Sequence, residues 1–436
     1  MRLSVIGCGY LGAVHAAAMA SIGHDVIGID VDAAKVAALS AGRAPFFEPG
    51  LTEILESGIQ SGRLTFSTDF ADVAGAKVHF IGVGTPQVPG GYAADLTYVD
   101  KAVDALLPHL SSDDIVAGKS TVPVGTAARL AERISGSGAT LVWNPEFLRE
   151  GWAVKDTIDP DRLVVGVPSG DAGAIASDVL REVYHPAVTQ GTPFVITDYA
   201  TAELVKVSAN AFLATKISFI NAMAEIAEVT GADVTMLADA IGYDDRIGRK
   251  FLGAGIGFGG GCLPKDIRAF SARAEELGRG ESVAFLRQVD EINLRRRERA
   301  VRLVLDALGG SAHGKKVTVL GAAFKPHSDD VRDSPALDVA VRLHGLGAAV
   351  TVTDPEAISN ARALHPQLTY VRDRDEALEG ADAVVVVTEW DEYRRQLDPA
   401  HAAGLVSRRI IIDGRNCLDP GAWRAAGFEY FGMGRP

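Results

Sequence analysis

Short apolar runs recur along both ends of the chain, each closing on glycine or a polar residue and each followed by a stretch with helical spacing. Residues 3–6 of "RLSVIGCGYLGAVHAAAMASIGHDVIGIDVD" predict a strand, 13–21 a helix and 26–29 a second strand. "KVHFIGVGTP", "DDIVAGKSTVPVGT" and "TLVWNPEFLREG" predict three more strands. The segment 197–234 holds no proline and keeps apolar residues at helical spacing, so it predicts one long helix or two abutting ones. After it, "GKKVTVLGAAFKPHSDDVRDSPALDVAVRLHGLGAAVTVTDP" repeats strand, turn, helix and strand, and "ADAVVVVTEWDEY" is a further buried strand.

This alternation gives an α/β fold: two Rossmann-like doubly wound parallel-sheet domains joined by a long central helix. The expected segments are 1–198 for a dinucleotide, 199–300 for a helical centre and 301–436 for a second nucleotide-like domain. The helical centre is a plausible dimer surface.

Composition narrows the function. Of 436 residues, 43 are Lys or Arg and 56 are Asp or Glu, a net charge of −13, which argues against a polyanion as the main partner. No apolar run is long enough for a membrane span and the first residues do not resemble a signal peptide, so a cytoplasmic protein is expected. Cys8, Cys262 and Cys417 are scattered, with no C-x-x-C pair or metal-like spacing, which argues against a disulfide framework and a structural zinc.

Gly7, Gly9 and Gly12 form G-x-G-x-x-G between the first strand and its helix. Such a turn presents backbone N–H groups and a helix N-terminus to a pyrophosphate. Asp30 closes the second strand, 18 residues after Gly12, where a carboxylate accepts from a ribose 2′-hydroxyl and repels a 2′-phosphate; this favours NAD over NADP. Lys35 is within reach of the same ribose or a phosphate. Thr85, Thr121, Glu146 and Glu150 lie where strands end, the usual place for a binding crevice, although each also precedes an expected helix and suits capping.

In the centre, Lys206 and Asn210 are four apart on one helix face. Lys206 stands among Leu204, Val205 and Val207, either a solvated helix lysine or a proton carrier. "GFGGGCLPKD" puts Cys262 behind a glycine loop whose backbone can approach a ligand closely. Lys265, or a helix starting after the proline, would favour its thiolate, and Asp266 could activate water. In the last domain Lys325, Arg332 and Arg415 fall at strand-end loops and suit a phosphate or carboxylate, or simply surface ion pairs.

"GCGYLG", "GTP", "STVPVGT", "NPEFLREG", Lys206-x-x-x-Asn210, "GFGGGCLPKD", "FKP" with "D-x-R-x-S", and "DGRN" together resemble the UDP-glucose/GDP-mannose dehydrogenases, in family order over nearly the whole chain. The resemblance implies oxidation of a sugar primary alcohol to a carboxylate with two NAD and one water. It makes Cys262 the nucleophile through thiohemiacetal and thioester, Lys206 an acid/base or oxyanion group and Asn210 an oxyanion donor. Asp266 and Thr121 would organise water, Glu146 would do acid/base work and Glu150 would lie near the nicotinamide. Thr85, Lys265 and Arg332 join the glycines, Asp30 and Lys35 on the NAD side. Phe147, Leu148, Arg149, Arg246, Phe251, Gly259, Lys325 and Arg415 join the substrate side, Arg246 in some members across a dimer interface. "DDRIG" followed by "KFL" favours UDP-glucose over GDP-mannose or a UDP-N-acetylhexosamine. A two-electron hydroxyacid dehydrogenase needs neither residues 257–266 nor 315–436. A non-catalytic binding protein would not need Lys206, Asn210, Cys262 and Asp266.

Overall fold

The computed structural model describes residues 1–436. Fourteen strands form two sheets. The first holds β1 (Arg2–Ile6), β2 (Asp25–Ile29), β3 (Leu64–Ser67), β4 (Val78–Ile81), β5 (Ile115–Gly118), β6 (Thr140–Trp143), β7 (Leu163–Gly166) and β8 (Phe194–Thr197). Their order is β3-β2-β1-β4-β5-β6-β7-β8, parallel except at β6–β7. The second holds β9 (Lys316–Leu320), β10 (Ala349–Thr353), β11 (Thr369–Tyr370), β12 (Ala383–Val386), β13 (Ile410–Asp413) and β14 (Glu429–Gly432), all parallel in the order β11-β10-β9-β12-β13-β14. In both sheets the order reverses beside the first strand, the doubly wound arrangement that places ligand sites at strand C-termini.

The apolar runs become central strands because helices cover both sheet faces. VHFI of β4, IVAG of β5 and AVVV of β12 are buried at every position. The chain divides into two compact units, Met1–Ala209 with Ala272–Gly278, and Asn210–Ser271 with Arg279–Pro436. The proline-free segment is a single helix, Tyr199–Thr230, ended by Gly231 at positive φ.

Three local expectations change. The first helix starts at Tyr10, directly after Gly9, because Gly12 packs inside it rather than before it. No helix follows Thr85 closely: residues 82–96 form a loop with one bridge, Gln87 to Ala94, and the next helix is Thr97–Leu106. The helix behind the cysteine starts at Leu263, before the proline, because Pro264 is tolerated in a first turn where its missing N–H has no intrahelical partner.

Candidate functional site

In the first unit, the three glycines of the turn do three different things. Gly7 has φ +87° and donates its N–H to Ile29 O at 2.7 Å. A Cβ on Gly12 would lie 1.8 Å from Gly7 O, so only glycine lets the helix sit this close to the turn. A Cβ on Gly9 would meet nothing within 4 Å. Gly9 is the N-cap of helix Tyr10–Ser21 and supplies no side-chain cap, whereas Asp32, Asp233 and Asp419 each cap their own helices. An open approach to an uncapped helix N-terminus fits a pyrophosphate.

Asp30 is buried at the end of β2. Its Oδ2 accepts from Cys8 N at 2.8 Å and Lys35 Nζ at 2.9 Å, and its Oδ1 accepts from Asp32 N at 3.0 Å. Lys35 is thus ion-paired with Asp30, and Asp30 also braces the glycine turn. Thr85 caps no helix; its hydroxyl donates to Thr121 O at 2.8 Å, tying two strand-end loops together.

"NPEFLREG" is held tightly. Glu146 Oε1 accepts from Phe147 N at 2.8 Å and Leu148 N at 3.1 Å, and Oε2 faces Lys119 Nζ at 3.0 Å. The Phe147 ring has the Arg162 guanidinium at 4.0 Å and Lys206 Nζ at 5.4 Å from its centroid. Leu148 packs against the core, and Arg149 makes a bidentate pair with Asp156. Glu150 is buried. Beside it the buried Glu48 accepts from Gly151 N at 2.6 Å, Ala153 N at 2.7 Å and the Tyr10 hydroxyl. Burial, then the bond to Glu48, pushes the Tyr10 phenol far above its ordinary range. Glu203, one turn before Lys206, accepts from Gly125 N at 2.8 Å and Ala127 N at 2.7 Å and so caps helix Thr126–Ile134; burial raises its pKa.

In the second unit, Asn210 Nδ2 donates to Asp266 Oδ2 at 2.6 Å and Lys265 Nζ to Asp266 Oδ1 at 2.5 Å. Asp266 is buried in the first turn of helix Leu263–Glu276, and its N–H donates to Cys262 O at 2.8 Å. Cys262 is thus the residue at the helix's positive end, and it is exposed. None of the three cysteines is in a disulfide. Burial, then Asp30, pushes the Cys8 thiol up to about 12; burial and Asp413 raise Cys417 as well. Both are poor nucleophiles at neutral pH.

The glycines of the loop lie against protein. A Cβ would lie 2.2 Å from Asn293 Oδ1 at Gly257, 2.3 Å from Asp333 O at Gly259, 2.7 Å from the Phe324 ring at Gly260 and 2.4 Å from Arg332 Cζ at Gly261. Arg415 binds the same loop: its guanidinium donates to Gly257 O at 2.8 Å, Val387 O at 2.7 Å and Phe324 O at 3.1 Å, beside Glu389. Arg332 makes a bidentate pair with Asp330, and Lys325 Nζ lies 5.2 Å from the Phe324 ring centroid. Arg246 stands apart, exposed and folded onto Asp244, and Phe251 is exposed at φ +66°.

Sequence reasoning missed Lys119, Tyr184, Glu48 and Glu203. Their only signal is a charged or polar group beside apolar runs, which solvated residues share.

The class defined by an open glycine turn at an uncapped helix, an acidic residue closing the next strand and a second doubly wound sheet is that of NAD-dependent oxidoreductases. The chain belongs to the UDP-glucose/GDP-mannose dehydrogenase family: residues 1–188 match its NAD binding domain, 200–295 its central domain and 318–420 its UDP binding domain. It is 43% identical to a UDP-glucose 6-dehydrogenase of Rhizobium meliloti (strain 1021), over 100% of both chains. It is 41% identical to one of Bacillus subtilis (strain 168), over 100% of this chain and 93% of the other. The solved UDP-glucose dehydrogenase of the archaeon Pyrobaculum islandicum is 40% identical, with a TM-score of 0.90 over 100% of this chain and 98% of that one. No helix is long and apolar enough to cross a membrane.

Proposed function

We propose that the protein oxidises UDP-glucose to UDP-glucuronate, consuming two NAD and one water and yielding two NADH and three protons. The observation that carries the proposal is the exposed Cys262 at a helix N-terminus, with Asn210, Lys265 and Asp266 joined next to it in the chain or by hydrogen bonds. The names of the similar proteins supply the substrate.

NAD, held by the first domain's glycine turn and Asp30, would supply the hydride acceptor for each of the two oxidations. Lys206, or Glu146, takes the proton of the 6-hydroxyl as the alcohol becomes an aldehyde. The Cys262 sulfur then adds to the aldehyde carbon, forming a C–S bond, and Lys206 and Asn210 donate to the oxygen of the thiohemiacetal. Loss of the second hydride leaves a thioester. Water, held by Asp266 and Thr121, attacks it; the C–S bond breaks and the thiol returns. Gly7, Gly9, Gly12, Asp30, Lys35, Thr85, Thr121, Glu150, Lys265 and Arg332 serve NAD. Glu146, Phe147, Leu148, Arg149, Glu150, Lys206, Asn210, Arg246, Phe251, Gly259, Lys325 and Arg415 serve the sugar nucleotide. The division at 198/199 and 300/301 and a cytoplasmic location belong to the same reading.

A homodimer through the central helix is part of it too. Phe212, Phe219 and Ile226 recur every seven residues on helix Tyr199–Thr230 and are 66%, 49% and 57% exposed, an apolar stripe with coiled-coil spacing.

The test is NADH yield with limiting UDP-glucose, beside GDP-mannose and UDP-N-acetylglucosamine, for wild type and Cys262→Ser. Two NADH per UDP-glucose, lost or stalled in the variant, is expected. One NADH per sugar overturns the four-electron route, and turnover of another sugar nucleotide alone overturns the substrate.

A further inference from the structure

Lys119 is the residue after β5, in "GKST", and its side chain is 3% exposed. A lysine is rarely this buried unless its charge is matched. Its ammonium has three N–H donors and three acceptors around it: Glu146 Oε2 at 3.0 Å, Asn144 Oδ1 at 3.2 Å and Tyr184 OH at 3.3 Å. The acceptors are themselves fixed. Tyr184 OH donates to Asn144 Oδ1 at 2.7 Å, and Asn144 Nδ2 donates to Val164 O at 2.9 Å on β7. The Phe80 and Tyr184 rings stand 5.9 and 5.7 Å from the ammonium and keep water from that side. Burial opposes the lysine's charge, but Glu146 and Tyr184 outweigh it, and its pKa is raised.

Glu146 is the most exposed member of this network, at 15%, and with Phe147, Thr157 and Arg162 it lines a small cavity that the network shares. One carboxylate oxygen is fixed by two backbone N–H groups and the other by the lysine. A side chain so held keeps one rotamer and one position for its remaining lone pairs, which is what a proton-transferring group needs.

We propose that Lys119 is a positioning residue for Glu146, and that Asn144 and Tyr184 hold the lysine to that task. The proposal rests on the reading of Glu146 as an acid/base group. A buried ion pair serving stability alone would lower the melting temperature on disruption and leave the chemistry of folded enzyme unchanged.

The experiment is steady-state kinetics with UDP-glucose and NAD across pH, with calorimetric melting, for wild type, Lys119→Met, Lys119→Arg, Tyr184→Phe and Glu146→Gln. Expected for Lys119→Met is a kcat loss on the order of 100-fold with both KM values within about threefold. The acidic limb of the kcat–pH profile should move up by about one unit, with partial return in Lys119→Arg. Tyr184→Phe, which removes one oxygen, should lose about tenfold in kcat in the same sense, and it keeps the test alive if Lys119→Met does not fold. Wild-type kcat and profile in folded Lys119→Met or in Tyr184→Phe, with Glu146→Gln impaired, overturn the proposal and spare the role of Glu146. An active Glu146→Gln with the wild-type profile overturns that role and the proposal with it.

Discussion

Replacing Gly257 by alanine separates two reasons for a glycine loop. If the glycines exist to admit a ligand, the variant folds as well as the wild type and binds substrate poorly. If they exist because protein already occupies the space, the variant is unstable. The geometry favours the second. Gly257 has φ +92°, a conformation that costs an L-residue about 1–2 kcal/mol. Its new Cβ would sit 2.2 Å from Asn293 Oδ1. That buried amide cannot yield cheaply, because Oδ1 accepts from Phe258 N at 2.7 Å and Nδ2 donates to Phe258 O at 2.9 Å. Displacing it strands buried polar groups, a further cost of about 1–3 kcal/mol. The sum is about 2–5 kcal/mol, a fall in melting temperature on the order of 10 °C for a unit of this size. Gly253→Ala is the control in the same loop, since its Cβ meets nothing within 4 Å and its φ is not in the left-handed region. Scanning calorimetry of both variants decides. Gly257→Ala melting with the wild type while its KM for UDP-glucose rises would refute the packing argument.

The first unit should lose stability in mild acid. His15, His24 and His79 are buried with pKa values lowered chiefly by burial, so the folded state prefers them neutral; this stability is complete above about pH 6.5 and is lost as pH falls through the folded values. For His15, whose two ring nitrogens lack hydrogen-bond partners, the slope is about 1.4 kcal/mol per pH unit; His15→Leu should flatten melting temperature against pH below 6.5, and parallel curves would contradict this. On the central helix, Phe212→Glu with Phe219→Glu should convert a sedimenting dimer to a folded monomer, and a wild-type monomer at micromolar concentration would sink the dimer reading.

Strands β1, β2, β4, β5, β6, β9, β10 and β12 were legible because buried parallel strands are largely apolar runs, as in AVVV of β12, whereas β3, β7, β8, β11, β13 and β14 were not read. The glycine turn and Asp30 were legible because one supersecondary unit contains both. What stayed hidden was buried charge. Lys, Glu and Asp sit mostly on surfaces, and what buries them lies far along the chain: Glu146 for Lys119, Gly151 for Glu48, Gly125 for Glu203. The loop at 257–261 shows a third case. Its composition says that side chains are barred there but not that Asn293, Asp333, Phe324 and Arg332 bar them.

Asp30 and Asp354 hold the same fold position in two different ways. Each follows the second strand of its sheet, and each sheet opens with a glycine at positive φ whose N–H bonds the end of that strand: Gly7 to Ile29 O at 2.7 Å, Gly321 to Thr353 O at 2.8 Å. There the likeness ends. Asp354 is 1% exposed, and its Oδ2 accepts from Ala322 N, Ala323 N and Trp390 Nε1, while Oδ1 accepts from Glu356 N and Ala357 N. The carboxylate has consumed backbone N–H groups of the turn after β9. The next helix, Pro335–Gly345, starts far down the chain and is capped by Ser334. A dinucleotide turn works through unspent backbone donors and an uncapped helix, and neither is offered here. What this turn does carry is Lys325, on the loop between β9 and that helix. An anionic ligand there would be met by a side-chain cation rather than by backbone, which suits a mononucleotide's phosphates and the match of residues 318–420 to the family's UDP binding domain.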